Sequence, residues 1–501
     1  MSHTSLTAVP NGPSASDAAD QSHRNRWWIL AVVGIAQLMV VLDATIVNIA
    51  LPSAQQDLGF SDGDRQWVVT AYALAFGSLL LLGGRIADLF GKKITFMVGL
   101  VGFAGASALA GAAGTFELLV AARAGQGLFG ALLAPAALSL LTTTFTDAKE
   151  RATAFSVYGA IAGAGGAIGL LLGGVLTEYL DWRWTLYVNI IFAGVALVGA
   201  ALFLTRSARN KNVQLDMPGT LLVSTGLFSV VYGFSNAESH GWDSPGTWGL
   251  LIAGVVLLAA FTLWQTKAAH PLLPLRVLAD RNRAASFLSV LIIGAGMFGI
   301  FLFLTYYLQL TLGFTPVKTG LAFLPLVGAL MATTALSSNV LVPRIGPKPV
   351  VPLGMAVSAI GLVWMTTLDL NSGYASEVLP QLIVFGAGMG LIISPAMSLA
   401  TQGVAPEDAG VASATVNTMQ QVGGSIGTAL LTTFASSAAT DYLSGKNPAD
   451  PAVNAQAAME SYTAAFGWSA VFFAVGVVVS FLLYRRGVPE VVENAASVVH
   501  M

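Results

Sequence analysis

WWILAVVGIAQLMVVLDATIVNIA, residues 27–50, is an apolar run whose one ionisable side chain is that of Asp43. A helix that crosses a bilayer needs about 20 predominantly apolar residues, so the run predicts a transmembrane helix. Arg24 and Arg26 lie at its start, as basic residues do in a signal peptide. The run is too long for a signal peptide, however, and no small-residue cleavage site follows a short core. Residues 1–26 are predicted to form a disordered tail.

The composition of the whole chain is that of a membrane protein. Of its 501 residues 55% are hydrophobic and 10% are charged, against about 25% charged residues in a typical soluble domain. The net charge of −2 argues against a nucleic-acid partner. Cysteine is absent and the five histidines form no ligand cluster, so we expect neither disulfides nor a bound metal.

Fourteen apolar segments are long enough to span a bilayer, and they predict an all-α polytopic membrane protein. The candidate spans are 27–50, 66–84, 94–113, 117–142, 152–176, 184–205, 217–236, 247–266, 284–311, 319–342, 349–368, 378–402, 409–435 and 464–484. With the N-terminus inside, 18 of the 23 basic residues fall in inside segments and four in outside loops, while Arg123 lies within a span. This asymmetry predicts that both termini are cytoplasmic.

GRIADLFGKK, residues 84–93, joins the second and third spans. We interpret it as a tight cytoplasmic turn that begins at Gly84. Gly91 supplies a backbone conformation that other residues resist, and Asp88 caps a helix or pairs with a cation. Lys92 and Lys93 are expected to lie at the lipid headgroups.

The loop at 84–93 resembles the signature loop of the major facilitator superfamily, and three further stretches resemble its fourteen-span drug:proton antiporter branch (EmrB/QacA type). They are LDATIVNIALP at 42–52, RAGQGLFG at 123–130 and GAIAGAGGAIGLLLGG at 159–174. Trp182, Arg183, Trp184 and Asn189 also match the start of the branch's sixth span. The chain departs from the antiporter motif at Leu170, where the branch usually has proline, so symport stays open.

The resemblance implies two six-helix bundles at 27–205 and 284–485, joined by a linker at 206–283 that contains two further spans. Residues 486–501 form a cytoplasmic tail. An internal echo agrees with this division, because ERATAFS at 150–156 and EDAGVAS at 407–413 each enter a glycine-rich span. Related bundles of this kind place the substrate path between them.

Asp43 and Arg123 are the candidate proton-coupling residues, because ionisable groups inside a membrane are costly. Asp43 lies about 14 Å before Pro52 along its helix, and Arg123 lies about 9 Å past Glu117. We therefore expect both in the outer half of the membrane, facing one cavity. Desolvation favours a neutral carboxyl group and a nearby cation favours its ionised form, so Asp43 is predicted to exchange a proton as its exposure alternates. The alternative is a structural ion pair.

Glycines recur at helical spacing in the fifth span and predict one smooth face for sliding contacts between the bundles. The members of this gating set are Gly163, Gly166, Gly169 and Gly173, together with Gly84, Asp88, Gly91 and Lys92 of the loop. Close packing of small residues without motion is the alternative.

A substrate cavity is predicted from polar, aromatic and thioether side chains within spans. Its candidate residues are Met39, Gln126, Phe298, Phe301, Asn417, Gln420 and Gln421. Aromatic faces attract cations and thioethers are polarizable. The amides equally suit bonds between neighbouring helices, and the aromatic residues equally suit packing or contact with lipid.

These observations together predict proton-coupled export of small amphipathic molecules by alternating access, from a monomer in the bacterial cytoplasmic membrane. No phosphate-binding Gly-x-x-x-x-Gly-Lys-Ser/Thr loop is present, so a proton gradient rather than ATP or another cofactor is expected to supply the energy. Export of one endogenous metabolite or antibiotic for self-resistance is the alternative within this class. Uptake by proton symport, a channel, a membrane enzyme and a non-transporting receptor are the other readings.

Overall fold

The computed structural model describes residues 25–61, 63–145, 147–205, 216–404, 408–447 and 449–488. The side chains of Asp88 and Phe298, and the surroundings of Gly163, lie outside this description. Within the described residues every regular element is a helix, in agreement with the all-α prediction.

Fourteen helices of 19 residues or more run through the described part of the chain. They are α1 (Arg26–Leu58), α2 (Arg65–Phe90), α3 (Lys92–Gly111), α4 (Phe116–Thr144), α5 (Ala148–Tyr179), α6 (Trp184–Phe203), α7 (Met217–His240), α8 (Pro245–Gln265), α9 (Arg281–Tyr306), α10 (Pro316–Leu336), α11 (Pro347–Met365), α12 (Leu379–Thr401), α13 (Ala409–Leu443) and α14 (Pro451–Leu483). Single π-helical turns extend α9 and α10 at their C-terminal ends and precede α12.

Twelve of these helices are both long and apolar enough to cross a membrane. Of the other two, α5 has a shorter apolar segment, Ala164–Tyr179, within its described side chains, and α13 is rich in glycine, serine and threonine. The chain is thus a multi-pass membrane protein with about twelve strongly apolar helices, and the number of fourteen spans stays a prediction.

The helices pack as two bundles with the same internal pairing. In the first bundle α1 packs on α5 and α6, and α4 packs on α2 and α3. In the second bundle the equivalent pairs recur, with α9 on α13 and α14, and α12 on α10 and α11. This repetition gives a structural basis to the internal echo in the sequence. The linker helices α7 and α8 pack on each other, and α7 also contacts α2 and α13.

Two helix pairs make the largest contacts between the bundles, α2 with α13 and α5 with α10. Both contacts depend on glycines that admit a neighbouring backbone. A Cβ atom on Gly174 of α5 would lie 2.7 Å from the carbonyl oxygen of Pro316, and one on Gly320 of α10 would lie 2.5 Å from that of Leu170. At Gly77 of α2 a Cβ atom would lie 3.0 Å from Cβ of Gln421.

Candidate functional site

Asp43 of α1 and Arg123 of α4 form a buried ion pair. Nη1 of Arg123 lies 2.7 Å from Oδ2 of Asp43, and the two side chains are 2% and 0% exposed. The structure therefore confirms that these two residues meet at one depth. A charge in such a position is tolerated only when it is paired and hydrogen-bonded, because its desolvation is otherwise too unfavourable.

Two amide side chains contact the carboxylate besides Arg123, and one hydroxyl supports them. Oδ1 of Asp43 accepts hydrogen bonds from Nε2 of Gln126 at 2.9 Å and from Nδ2 of Asn189 at 2.7 Å. The hydroxyl of Ser107 accepts from Gln126 at 2.8 Å. One side chain from each of α3, α4 and α6 thus helps to fix the position of the carboxylate on α1.

The guanidinium group of Arg123 has partners besides Asp43. Its Nε donates to the carbonyl oxygen of Val68 at 2.9 Å, and its Nη1 donates to Oε1 of Gln126 at 2.8 Å. Its Cζ atom lies 4.6 Å from the ring centre of Tyr72, which is a cation–π distance. Arg123 therefore keeps favourable contacts in the absence of a carboxylate charge.

The sequence predicts that both residues face one cavity, but the structure shows Asp43 fully buried and only Arg123 beside a small cavity. The neighbours of the ion pair on α2, α3, α4 and α6 all belong to the first bundle, and Asp43 is fully buried among them. A cavity of about 10 Å³ touches Arg123 from the side of Val47, Val68 and Leu119, which is room for about one water molecule. The expectation failed because helical spacing gives the depth of a residue but not the direction of its side chain.

Two buried polar atoms of the site have no hydrogen-bond partner among the described residues, the hydroxyl of Tyr72 and Oδ1 of Asn189. The roles of Ser107, Tyr72 and Asn189 were not predicted from the sequence. Asn189 matched the start of the sixth span, and that match was the one available signal. Gln126 was predicted to line a cavity, whereas the structure places it in the ion-pair network.

The turn between α2 and α3 is confined to Gly91, because α2 continues through Phe90 and α3 begins at Lys92, so the predicted start at Gly84 was wrong. Gly91 adopts φ 94°, a conformation that side chains resist, and it ends α2. Both lysines also make contacts within the bundle, and Nζ of Lys92 donates to the carbonyl oxygen of Ser139 at 3.3 Å. Nζ of Lys93 donates to the carbonyl oxygens of Ala201 and Leu204, so its charge lies at the C-terminal end of α6. A Cβ atom on Gly84 would be 3.6 Å from Pro135, an ordinary contact.

The glycines of α5 do not share one function in packing. Cβ atoms on Gly169 and Gly173 would meet Thr45 at 2.0 Å and the carbonyl oxygen of Ile46 at 2.9 Å, so both glycines face α1 of their own bundle. Gly166 has open space around it. The surface of α5 that meets the other bundle instead carries Gly174. A gating function for this set of residues stays a prediction.

The residues predicted to line a substrate cavity lie at separate places. Met39 is in the core of the first bundle, and the ring of Phe301 packs 5.1 Å from that of Phe323. Nδ2 of Asn417 donates to the carbonyl oxygen of Ser413 at 3.0 Å, which keeps the amide on its own helix. The backbone of Gln420 lies against Gly294 of α9, and Cβ of Gln421 lies against Gly77 of α2. Among these, Gln421 lies where the two bundles meet.

Comparison with known proteins agrees with this architecture. The chain is 49% identical to the puromycin resistance protein pur8 of Streptomyces alboniger, over 94% of this chain and 92% of that one. It is 36% identical to the cephamycin export protein CmcT of Amycolatopsis lactamdurans, over 81% and 85%.

Among solved structures, a bacterial homologue of the human lysosomal transporter Spinster in an inward-facing conformation matches with a TM-score of 0.63 at 14% identity. The match covers 91% of this chain and 96% of that one, and at this identity it shows the fold. The model of the Major Facilitator Superfamily matches residues 33–428. The chain therefore belongs to the major facilitator superfamily of membrane transporters.

Proposed function

We propose that this transporter exports small antibiotic-like molecules across the bacterial cytoplasmic membrane in exchange for protons, and that Asp43 is the group that carries the proton. The observation that supports the proposal most strongly is the fully buried pair of Asp43 and Arg123 inside the first bundle. A buried ion pair adds little net stability, because the desolvation of its two charges offsets their attraction. Its presence inside a membrane bundle therefore favours a functional role over a structural one.

The hydrogen bonds around Asp43 suit both of its protonation states. In the ionised state the carboxylate accepts from Arg123, Gln126 and Asn189. In the protonated state the new O–H group needs an acceptor, and Oδ1 of Asn189 is an acceptor without a donor among the described residues. A turn of the Asn189 amide would place that oxygen towards Asp43, because the amide carries an acceptor oxygen beside its donor nitrogen.

Arg123 keeps stabilising contacts when protonation removes the charge of Asp43. When Asp43 becomes neutral, Gln126, the carbonyl group of Val68 and the ring of Tyr72 remain around the guanidinium group. The ion pair no longer holds α1 to α4, and these helices contact α5 and α2, which meet the second bundle. Protonation is thereby coupled to the contacts that close the path.

The cargo is proposed from the relatives. The two proteins named above are described as a puromycin resistance protein and a cephamycin export protein. A third, 35% identical over 84% of this chain and 78% of its own length, is described as a tetracenomycin C resistance and export protein of Streptomyces glaucescens. Such names favour an antibiotic as cargo, including one that the cell itself makes.

The remaining parts of the proposal follow from charge and energy. The excess of lysine and arginine in alternate loops supports cytoplasmic termini. A proton gradient without any cofactor supplies the energy, and a proton-motive force of 100 mV provides about 2.3 kcal/mol per charge. We propose that the functional unit is a monomer, because one bundle pair contains the whole pathway.

The proposal is tested by expressing the protein in an efflux-deficient bacterium and measuring growth inhibition by puromycin. We expect a higher inhibitory concentration than with an empty vector, and loss of this difference when a protonophore collapses the gradient. Purified protein in liposomes should then accumulate puromycin when a pH gradient is imposed. Accumulation that persists without any gradient would contradict proton coupling.

A further inference from the structure

Where α2 and α13 meet, polar side chains are buried without hydrogen-bond partners. They are Gln66 and Thr70 of α2 and Gln421, Ser425, Thr428 and Thr432 of α13, here called the polar seam. Gln66 and Thr70 are fully buried, and neither amide atom of Gln66 has a partner among the described residues. The hydroxyls of Ser425, Thr428 and Thr432 and the amide oxygen of Gln421 are likewise unpartnered there.

Helix geometry shows that the two halves of the seam face each other. Gly77 of α2 contacts Gln421, and the hydroxyl of Thr418 donates to the carbonyl oxygen of Gly77 at 3.2 Å. Gln66 and Thr70 lie eleven and seven residues before Gly77, on the same face of α2. Along the antiparallel α13, Thr428 and Thr432 lie seven and eleven residues after Gln421. Both pairs are therefore about 10 Å and 16 Å beyond the contact.

The other sides of both helices are occupied by other partners. Gly423 and Gly427 of α13 lie against Leu291 and Ala295 of α9. On α2, the backbone of Tyr72 and Phe76 lies against Gly127 of α4. The seam residues consequently point from each bundle towards the opposite bundle, where the path of a transporter with two bundles runs.

The seam is unlike ordinary packing of threonines inside helices. A buried threonine normally satisfies its hydroxyl with the carbonyl group four residues earlier. Thr415 and Thr433 of α13 do so, at 2.8 Å to Val411 and 2.9 Å to Ala429. Thr432, next to Thr433 in the chain, does not. Unpartnered groups of this kind are unfavourable in a closed interface and favourable when a ligand or water reaches them.

We infer that the polar seam is a cargo-binding surface for the uncharged, hydrogen-bonding part of the cargo, such as its hydroxyl, amide or carbonyl groups. This inference rests on the proposed export function. The seam contains amides and hydroxyls and no ionisable side chain, so it donates to and accepts from neutral groups. Its own side chains offer no counter-charge to an ammonium group of the cargo.

The test compares isosteric substitutions at adjacent threonines of α13. Thr428→Val and Thr432→Val remove unpartnered hydroxyls of the seam, and Thr433→Val removes a hydroxyl that is satisfied within its own helix. Binding to purified protein is measured with two probes, puromycin, which has hydroxyl and amide groups, and tetraphenylphosphonium, which has no hydrogen-bonding group.

We expect each seam substitution to weaken puromycin binding about tenfold, the equivalent of one hydrogen bond of about 1.4 kcal/mol. Tetraphenylphosphonium binding should stay within twofold for all three variants, and so should puromycin binding to Thr433→Val. An equal change for both probes would show that the seam affects the conformational equilibrium and not recognition. That result, or the absence of any change in the seam variants, would overturn the inference.

A second experiment does not depend on the identity of the cargo. The natural chain has no cysteine, so Thr432→Cys and Thr433→Cys each introduce a single thiol. In proteoliposomes, a small hydrophilic thiol reagent should modify the cysteine at 432 at least tenfold faster than the one at 433. Equal rates would overturn the inference. If wild-type protein bound neither probe while 432 was selectively modified, the proposed cargo would be wrong and the accessible seam would stand.

Discussion

Replacement of Asp43 by asparagine removes the charge and the exchangeable proton of the buried pair while almost preserving its shape. Oδ1 of the new amide still accepts from Arg123. Its nitrogen, however, faces the donor groups of Gln126 and Asn189, which lie 2.9 Å and 2.7 Å from the present carboxylate oxygen. Both neighbouring amides must therefore turn. Breaking a buried ion pair from one side costs about 3–5 kcal/mol, and we expect the lower end of that range.

The transport defect of Asp43→Asn should exceed its effect on stability. For one proton per neutral cargo molecule, a proton-motive force of 100 mV supplies about 2.3 kcal/mol and sustains about 50-fold accumulation. Wild-type proteoliposomes should approach such a ratio for puromycin, and the variant should reach no more than equilibration. Equilibrium binding of puromycin should stay within a few-fold, because the ion pair lies away from the interface between the bundles.

Asp57→Asn is the matched control on the same helix. Asp57 pairs with Arg183 at 2.7 Å, but its side chain is 46% exposed, so this ion pair contributes at most about 1 kcal/mol. The control should retain both accumulation and thermal stability. The reasoning would be refuted if Asp43→Asn accumulated puromycin as wild-type protein does, or if Asp57→Asn lost coupling to the same degree.

Three further predictions concern the neighbours of this site and the packing of the bundles. Arg123→Lys keeps the charge but loses the fork that reaches both Asp43 and the carbonyl group of Val68, so proton-driven uptake in liposomes should fall at least tenfold while Arg183→Lys leaves it unchanged. Gly173→Ala forces a Cβ atom to 2.9 Å from a backbone oxygen and should lower the free energy of unfolding by about 1–3 kcal/mol. Gly166→Ala has open space and should be neutral or slightly stabilising. Thermal unfolding followed by tryptophan fluorescence compares the two variants, and equal effects would contradict this packing. Burial raises the pKa of Asp216, but hydrogen bonds from Gln265, Gly219, Trp264 and Leu272 outweigh it and hold that pKa below its usual value. Its contribution to stability is therefore present above the unfolded-state pKa and is lost as the pH falls through the lower folded-state pKa, so Asp216→Asn should lower the midpoint of thermal unfolding at pH 7 and the difference should shrink in acid; a difference independent of pH would contradict the assignment.

Much of the fold could be predicted from the sequence because a bilayer imposes simple rules. Each of the fourteen predicted spans overlaps a long helix, and the turn at Gly91 has the predicted positive φ. Hydropathy is weaker for α13, whose glycine residues serve helix packing. The repeated pairing of helices in both bundles was indicated in the sequence by a short internal echo.

The sequence predicted the ion pair at the centre of the site but not the polar side chains that surround it. Asp43 and Arg123 stand out because charges are rare in spans, and their depths follow from counting residues along two helices. The direction in which Asp43 points depends on how α1 packs against α3, α4 and α6, which no periodicity within one helix reveals. Ser107 and Tyr72 give no signal of their own, since hydroxyl groups are common in membrane helices.

The same limit applies to the three amide residues of α13 that were predicted to line the cavity. The amide of Asn417 bonds to its own helix, the backbone of Gln420 lies against α9, and Cβ of Gln421 lies against α2. The surface that faces the other bundle is defined by Gln421 and by hydroxyl residues further along α13. Only the packing of α13 between two partners distinguishes these faces.

Infrared difference spectroscopy of the purified protein in lipid measures the protonation of Asp43 most directly. When cargo is added or the pH is lowered, a band of a protonated carboxylic acid in an apolar environment should appear in wild-type protein and in Asp57→Asn. The same band should be missing in Asp43→Asn. If the band were unchanged in Asp43→Asn, or if none appeared in a wild-type protein that accumulates cargo against its gradient, Asp43 would not be the group that carries the proton.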